Sequence, residues 1–138
     1  MKVIVIDGQG GKLGCMLVEE IKKANLNCEL IAIGTNSIAT SAMLKAGADA
    51  GATGENPILV ASRDADVLIG PVGILVADSL LGEITPAMAE AIGRSPATKL
   101  LLPVNMCNTH VVGIQKQSFA ELVTAAVEEL TQRINAAR

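Results

Sequence analysis

The chain has almost no aromatic residues and no concentration of positive charge. Phe119 is the only aromatic side chain among 138 residues, tryptophan and tyrosine are absent, and the net charge is −3. Proteins that bind nucleic acid neutralise phosphates with clustered cations, and those that bind single strands usually stack bases on aromatic rings. No basic stripe is present in this sequence, so nucleic acid is not an expected partner.

Cysteines and long hydrophobic runs are also scarce. Cys15, Cys28 and Cys107 are scattered and odd in number, which argues against a disulfide framework. No apolar run reaches the ~18 residues that span a bilayer, because glycine, proline and aspartate interrupt the longest candidate at residues 67–81. A strand pattern begins directly after Met1, which leaves no room for a signal peptide. We therefore expect a cytoplasmic protein with no membrane partner.

Apolar residues, by contrast, are in excess. They make up 50% of the sequence, and the mean hydropathy is +0.45. A sheet that is buried on both faces would account for much of this content, and a subunit interface would hide more of it. We therefore expect one domain over residues 1–138 that assembles into a homo-oligomer.

Strand patterns alternate with helix patterns along the chain. Apolar runs predict strands at residues 2–6, 29–33, 50–53, 66–69 and 99–102, with residues 110–114 as a candidate sixth. Helical periodicity predicts helices at residues 12–24, 38–46, 57–63, 86–92 and from 118 onward. Residues 72–81 fit either helix or loop. Such alternation forms right-handed βαβ units, so we expect a doubly wound, mostly parallel Rossmann-like α/β sheet of five or six strands, with helices on both faces and strand order 3-2-1-4-5.

Capping residues mark several of the helix starts. Residues 35–37 offer side chains that can cap the second helix. Asn56 is predicted to cap the third helix, with Pro57 as its first helical residue. Ser118 and Glu121 have the spacing of a capping box, which predicts the start of the last helix.

A glycine-rich turn directly follows the first predicted strand. Residues 7–14 read Asp-Gly-Gln-Gly-Gly-Lys-Leu-Gly. Glycines in such a turn allow backbone N–H groups to approach a phosphate at a helix N-terminus. Open parallel sheets bind ligands beyond the carboxyl ends of their strands, where the strand order reverses. The turn therefore predicts a site for a nucleotide, a dinucleotide or another phosphate-bearing metabolite.

The predicted ligand contacts come from three loops at that edge of the sheet. The phosphate would rest on the backbone of residues 8–11 and on the first helix, residues 35–37 would hold a sugar, and residues 70–73 would cover a base or ring. The candidate cofactor-binding residues are Gly8, Gln9, Gly10, Gly11, Lys12, Thr35, Asn36, Ser37, Gly70, Pro71 and Gly73.

Neither standard nucleotide-binding motif is complete. Gly8, Gly10 and Gly14 are spaced as G-x-G-x-x-x-G, and the Walker pattern lacks both its first glycine and its hydroxyl residue. No Asp or Glu follows the second strand, where NAD-binding folds place one, and no Arg is present for NADP. NAD(P) or another nucleotide stays open as the cofactor. A purely structural turn is the competing interpretation.

A catalytic alternative would use Asp7, Cys107 and His110. Cys107 and His110 have C-x-x-H spacing after the fifth predicted strand, and a cysteine with a histidine can form a nucleophile–base pair. Two such ligands fall short of the four in a structural zinc site, so no metal is expected. Loop packing of Cys107 and His110, and hydrogen bonding of Asp7 to its own turn, compete with this hypothesis. A non-enzymatic, oligomeric partner-binding protein is a third interpretation.

Several segments of the sequence resemble a known family. They are DGQGG at residues 7–11, GTN at 34–36, ATSAMLKAG at 39–47, GATGEN at 51–56 and IGP at 69–71. Together they resemble a family of small bacterial proteins that is known only as a domain of unknown function. That family has no established activity, cofactor or catalytic residue, so the resemblance implies none here. The chain differs in having Lys12 where relatives commonly have a further glycine, which implies that a side chain is tolerated there.

Overall fold

Strands and helices alternate throughout the computed structural model, which describes residues 1–104 and 108–137. The strands are β1 (Lys2–Asp7), β2 (Glu29–Gly34), β3 (Ala50–Thr53), β4 (Val67–Pro71) and β5 (Thr98–Leu102). The helices are α1 (Lys12–Lys23), α2 (Ser37–Ala46), α3 (Glu55–Ala61), α4 (Pro86–Arg94) and α5 (Phe119–Ala136), with a 3-10 turn at Val72–Leu75 after β4. No helix in these two ranges is long and apolar enough to cross a membrane.

The strands form one parallel sheet in the order β3-β2-β1-β4-β5. This confirms the predicted Rossmann-like α/β fold and its strand order. β1 lies at the centre, between β2 and β4, so the strand order reverses beside it. The carboxyl ends of β1, β2 and β4 therefore bring the three predicted ligand loops to one edge of the sheet.

Helices cover both faces of the sheet. Alternate β1 side chains point to opposite faces, so each face has apolar side chains that the helices bury. Val3 and Val5 pack in a layer with α1, α2 and α5. Ile4 and Ile6 pack in a second layer with α3 and α4. All four side chains are fully buried, which is typical of a central parallel strand and accounts for much of the apolar content.

Two details of the predicted secondary structure are wrong. Residues 110–114 form turns and irregular backbone, so β5 is an edge strand of a five-stranded sheet. Gly113 has a φ of 91°, which a regular strand does not accommodate. The third helix begins at Glu55 and is capped by Gly54, so Asn56 is its second residue. Pro57 still lies in the first turn, where its missing N–H costs no hydrogen bond.

The predicted capping box of the last helix is confirmed. The Ser118 hydroxyl accepts a hydrogen bond from the Glu121 N–H at 3.2 Å, and the Glu121 carboxylate accepts one from the Ser118 N–H at 3.1 Å. The two bonds satisfy N–H groups that a helix start leaves without intrahelical partners. They fix the start of α5 at the same edge of the sheet as the start of α1.

Candidate functional site

The glycine loop (residues 8–11) directs the start of α1 toward the central carboxyl edge of the sheet. Gly11 caps the helix with a φ of 74°, and its N–H donates to the Gly8 carbonyl at 2.9 Å. A Cβ on Gly11 would lie 2.8 Å from the Ala39 Cα, so glycine is required both by the backbone angle and by the approach of α2. The N–H groups of Lys12 and Leu13 have no acceptor among the residues that the structure describes.

Asp7 is a buried carboxyl group beneath this loop, with 3% of its surface exposed. Its carboxylate accepts hydrogen bonds from the N–H groups of Gly8, at 2.8 Å, and Gly14, at 2.7 Å. Burial raises the pKa of Asp7 and the charge of Glu83 raises it further, whereas the two backbone hydrogen bonds act in the opposite direction. Asp7 is thus hydrogen-bonded to backbone N–H groups of the turn that follows it. A catalytic role for Asp7 stays a prediction.

A second carboxylate, that of Glu83, lies on top of the loop, although no motif in the sequence indicates it. Its Oε1 accepts hydrogen bonds from the Thr35 hydroxyl at 2.6 Å, the Asn36 Nδ2 at 2.8 Å and the Gln9 N–H at 2.8 Å. Burial alone would raise the pKa of Glu83, but these three donors together lower it. Glu83 is therefore ionised at neutral pH and holds together three segments that are far apart in sequence.

Glu83 belongs to the strap, which we define as residues 76–84, between the 3-10 turn and α4. Three non-glycine residues of the strap have left-handed backbone angles: Asp78 with a φ of 67°, and Leu80 and Leu81 with a φ of 55° each. Such angles each cost on the order of 1–2 kcal/mol for an L-residue. Leu80 is buried in the second layer, whereas the Leu81 side chain is 94% exposed.

Thr35 and Asn36, the predicted sugar contacts, face the site but are already engaged. Asn36 caps α2 by accepting the Ala39 N–H at 2.9 Å, and its Nδ2 also donates to the Gln9 carbonyl at 2.9 Å. Together with the bonds to Glu83, these contacts tie the end of β2 to the glycine loop. Ser37 begins α2 and is exposed to solvent.

The segment predicted to cover a base or ring is buried under the strap. Gly70 and Pro71 end β4, and a Cβ on Gly70 would collide with the Ile6 carbonyl oxygen of β1. The Gly73 carbonyl accepts hydrogen bonds from the Ser79 hydroxyl and, at 2.9 Å, from the Val76 N–H. In this conformation the segment is packed against protein, and its role as a ligand contact stays a prediction.

Lys12 stands at the rim of the glycine loop and leans toward α5. Its Nζ lies 5.6 Å from the centroid of the Phe119 ring, the only aromatic ring of the chain. A cation over a ring face is worth about 0.5–1 kcal/mol at an exposed site. The contact offsets the unfavourable position of a lysine at a helix N-terminus and keeps a positive charge near the loop.

His110 lies on the β5 side of the sheet, apart from Asp7. It is exposed and lines a cavity of about 290 Å³ together with Pro103, Ile114 and Leu122. β4 separates β1 from β5, and two strand spacings amount to ~10 Å. Cys107 lies outside the described residues, so its predicted pairing with His110 stays a prediction.

Comparisons with known proteins identify the family but not an activity. No curated protein matches the chain. Among solved structures, the dodecameric FMN-dependent Ubix-like decarboxylase from Escherichia coli O157:H7 is similar, at 16% identity and a TM-score of 0.45, over 98% of this chain and 94% of that chain. A likeness at this level does not bear on what this chain does. A family model described as "Domain of unknown function (DUF3842)" matches residues 2–135. The chain therefore belongs to this family of unknown function.

Proposed function

We propose that the protein binds a phosphate-bearing metabolite of the nucleotide or dinucleotide class at the glycine loop. The observation that carries this proposal is the start of α1, which Gly11 aims at the point where the strand order reverses. The N–H groups of Lys12 and Leu13 have no acceptor within residues 1–104 and 108–137. Free N–H groups and the helix dipole together attract phosphate oxygens.

A second feature beside the loop supports the same ligand class. The Thr35 hydroxyl, the Asn36 amide and the Gln9 N–H converge on a single anionic oxygen of Glu83. Donors that bind a carboxylate oxygen also suit a phosphate oxygen, because both are anionic acceptors of charge-assisted hydrogen bonds. Lys12 adds a positive charge at the rim, since its Nζ is held near the loop by Phe119.

Binding is better supported than catalysis by the described contacts. The Asp7 carboxylate is engaged by the N–H groups of Gly8 and Gly14, and His110 is exposed on the β5 side. A general base must lie within hydrogen-bond reach of the proton that it removes. The buried Asp7 carboxylate has no such approach in this conformation.

The proposed site is tested by substituting Gly10. This residue is exposed, has no left-handed φ, and a Cβ on it would have no neighbour within 4 Å. Gly10→Asp and Gly10→Asn have the same shape and differ only in charge. We expect at least one of inorganic phosphate, AMP, ATP, NAD and NADP to bind, and Gly10→Asp to weaken that binding by about tenfold relative to Gly10→Asn, because like charges repel.

Thermal-shift screening followed by calorimetric titration measures the effect of Gly10→Asp. A ligand at 100 times its Kd stabilises a protein by about 2.7 kcal/mol, which gives a clear shift. Equal affinities of the two Gly10 variants would place the ligand elsewhere. Binding of none of the five compounds, to the wild type or to a Glu83→Gln chain, would refute the function itself.

We also propose that the protein is a cytoplasmic homo-oligomer. Apolar side chains exposed on α2 and in the loop before α5 support the assembly, namely Ile38 and Val112. An interface between copies of the chain would remove such side chains from water. Light scattering on the purified chain is expected to give a mass of at least two protomers, and a strict monomer would contradict the assembly.

A further inference from the structure

We propose that the tip of the strap, residues 81–83, is a latch on the site, and that the Glu83 carboxylate is a built-in competitor of the ligand phosphate. The inference rests on the proposed function and adds its regulation. A phosphate would bind by taking over the donors that now hold Glu83, and the tip would then move away from the glycine loop.

The donors cannot serve Glu83 and a phosphate at the same time. The Thr35 hydroxyl and the Asn36 amide lie 2.6 and 2.8 Å from Glu83 Oε1. A second anion at hydrogen-bond distance from the same donors would be in contact with the Glu83 carboxylate, and two negative charges at that distance repel each other strongly. A ligand phosphate that reaches from the start of α1 to these donors and the closed strap therefore exclude each other.

No free volume separates the latch from the loop. A Cβ on Gly8 would lie 2.5 Å from the Thr35 Oγ1 and 3.0 Å from the Glu83 Oε1. Because Gly8 has no side chain, the Glu83 carboxylate can lie directly on the loop backbone. A phosphate oxygen can occupy this place only after the carboxylate has left it.

The tip has the features of a segment that can open. The Asp78 N–H donates to the Ile84 carbonyl at 2.7 Å, so the two ends of the strap are bonded to each other. Leu80 and Ile84 are buried and anchor the strap in the second layer on either side of residues 81–83. Between them, Leu81 and Gly82 are exposed. The N–H groups of Gly82 and Glu83 donate only to carbonyls within the strap among the described residues, so the hydrogen bonds that join the tip to the glycine loop and β2 are those of the Glu83 side chain.

Backbone strain lies on both sides of the latch. Leu81 in the tip and Gln9 in the facing loop have φ values of 55° and 49°. Strained angles persist only where surrounding contacts impose them. The three hydrogen bonds to Glu83 hold the tip against the loop, so their transfer to a ligand phosphate would allow Leu81 to relax, whereas the Gln9 N–H would stay bonded. Opening is then less costly than the loss of three hydrogen bonds alone.

Removal of the carboxylate charge is therefore expected to raise ligand affinity. The apparent Kd of a gated site equals its intrinsic Kd divided by the open fraction, so an open fraction of about 1–10% weakens binding ten- to a hundredfold. Glu83→Gln keeps the shape of the side chain and removes the charge. We expect its affinity for the tightest-binding compound among inorganic phosphate, AMP, ATP, NAD and NADP to exceed that of the wild type by about tenfold or more.

Glu55→Gln is the matched control for the calorimetric titration. Glu55 begins α3 at the same edge of the sheet, and its carboxylate accepts the Thr85 hydroxyl at 2.5 Å without touching the donors of Glu83. We expect Glu55→Gln to bind like the wild type. An equal gain in both variants would indicate a general charge effect and refute the latch. Unchanged or weaker binding by Glu83→Gln would refute it too, because Glu83 would then be a bystander or a ligand contact.

Hydrogen exchange on the wild-type chain provides a second readout that needs no substitution. When the tightest-binding compound is added, amide exchange is expected to slow in residues 8–14 and to accelerate in residues 81–83. Protection of both segments would refute the latch while leaving the binding function intact. Binding by neither the wild type nor Glu83→Gln would refute the proposed function, and the latch with it.

Discussion

Gly70→Ala is expected to lower the free energy of unfolding by about 3 kcal/mol, at the upper end of the usual cost of overpacking. A Cβ on Gly70 would collide with the Ile6 carbonyl oxygen, a backbone atom of the central strand β1. The Ile74 side chain, 3.3 Å from the same Cβ, blocks movement in another direction. The backbone of a central parallel strand can move only if its hydrogen bonds to the neighbouring strands are distorted. Relief of the clash therefore costs free energy in either direction. Urea denaturation of the two chains measures the difference.

Gly93→Ala is the control for this prediction. Gly93 lies in α4 with an ordinary φ, and its Cβ would have only the Leu75 Cδ2 nearby, at 3.9 Å. Alanine in a helix is favoured over glycine by about 0.5–1 kcal/mol, so this variant is expected to be more stable than the wild type. Effects of the same sign and size at the two positions would refute the close approach of β4 to β1.

The Gly70 result bears on what the IGP segment does. As a ligand contact, glycine at position 70 would be needed for access to a base or ring. In the structure, glycine is needed there because the Ile6 backbone lies against it. A packing constraint thus accounts for this residue without any ligand. The N–H groups of Lys12 and Leu13, which have no acceptor in the part of the chain that the structure describes, have no such explanation.

The fold could be predicted because its signals are local and repeated. The stripe of Leu13, Leu17, Val18 and Ile21 marks one face of α1, and all four residues are buried in the first layer. When short apolar strands alternate with such helices, nearly every connection between parallel strands is a right-handed crossover. This rule reduces the possible strand orders of the sheet to a few. The order β3-β2-β1-β4-β5 is one of them.

The strap and Glu83 could not be predicted because no local pattern encodes them. The left-handed angles at Leu80 and Leu81 fall on residues that rarely adopt them, so Gly82 is the only sequence signal of the turn. Glu83 meets Thr35 and Gln9 across separations of 48 and 74 residues. A periodicity analysis does not detect contacts of that range. An acid therefore lies at the end of β2, but it comes from another loop and not from the residues that follow β2 in sequence.

The candidate sixth strand failed for a related reason. Residues 110–114 contain β-branched side chains, but strand formation depends on pairing with a neighbour that the local sequence does not specify. In the structure, His110 and Val112 are exposed, and Gly113 turns the chain with a φ of 91°. β5 consequently remains at the border of the sheet.

Asp7→Ala is expected to lower the free energy of unfolding by about 2–3 kcal/mol near neutral pH. The substitution leaves the N–H groups of Gly8 and Gly14 without the acceptor that they now share, and each buried unpaired N–H costs about 1–3 kcal/mol. The loss of a buried charge offsets part of that cost. Asp7→Asn retains the shape and one acceptor oxygen, so it is expected to lose less. Urea denaturation compares the three chains, and an Asp7→Ala chain as stable as the wild type would refute the role of Asp7 in holding the loop.

The pH dependence of the unfolding free energies of the wild type and Asp7→Asn tests the protonation state of the buried Asp7 carboxyl group. Burial raises the pKa of Asp7 in the folded protein above its unfolded value of about 4. The folded state therefore binds the proton more tightly, and the contribution of Asp7 to stability is full below pH 4 and declines as the pH rises toward the folded pKa. The stability of the wild type relative to Asp7→Asn, which does not titrate there, is expected to fall between pH 4 and pH 7. A relative stability that rises over this interval would mean that the backbone hydrogen bonds outweigh burial, and that Asp7 is a fully ionised partner of the α1 N-terminus.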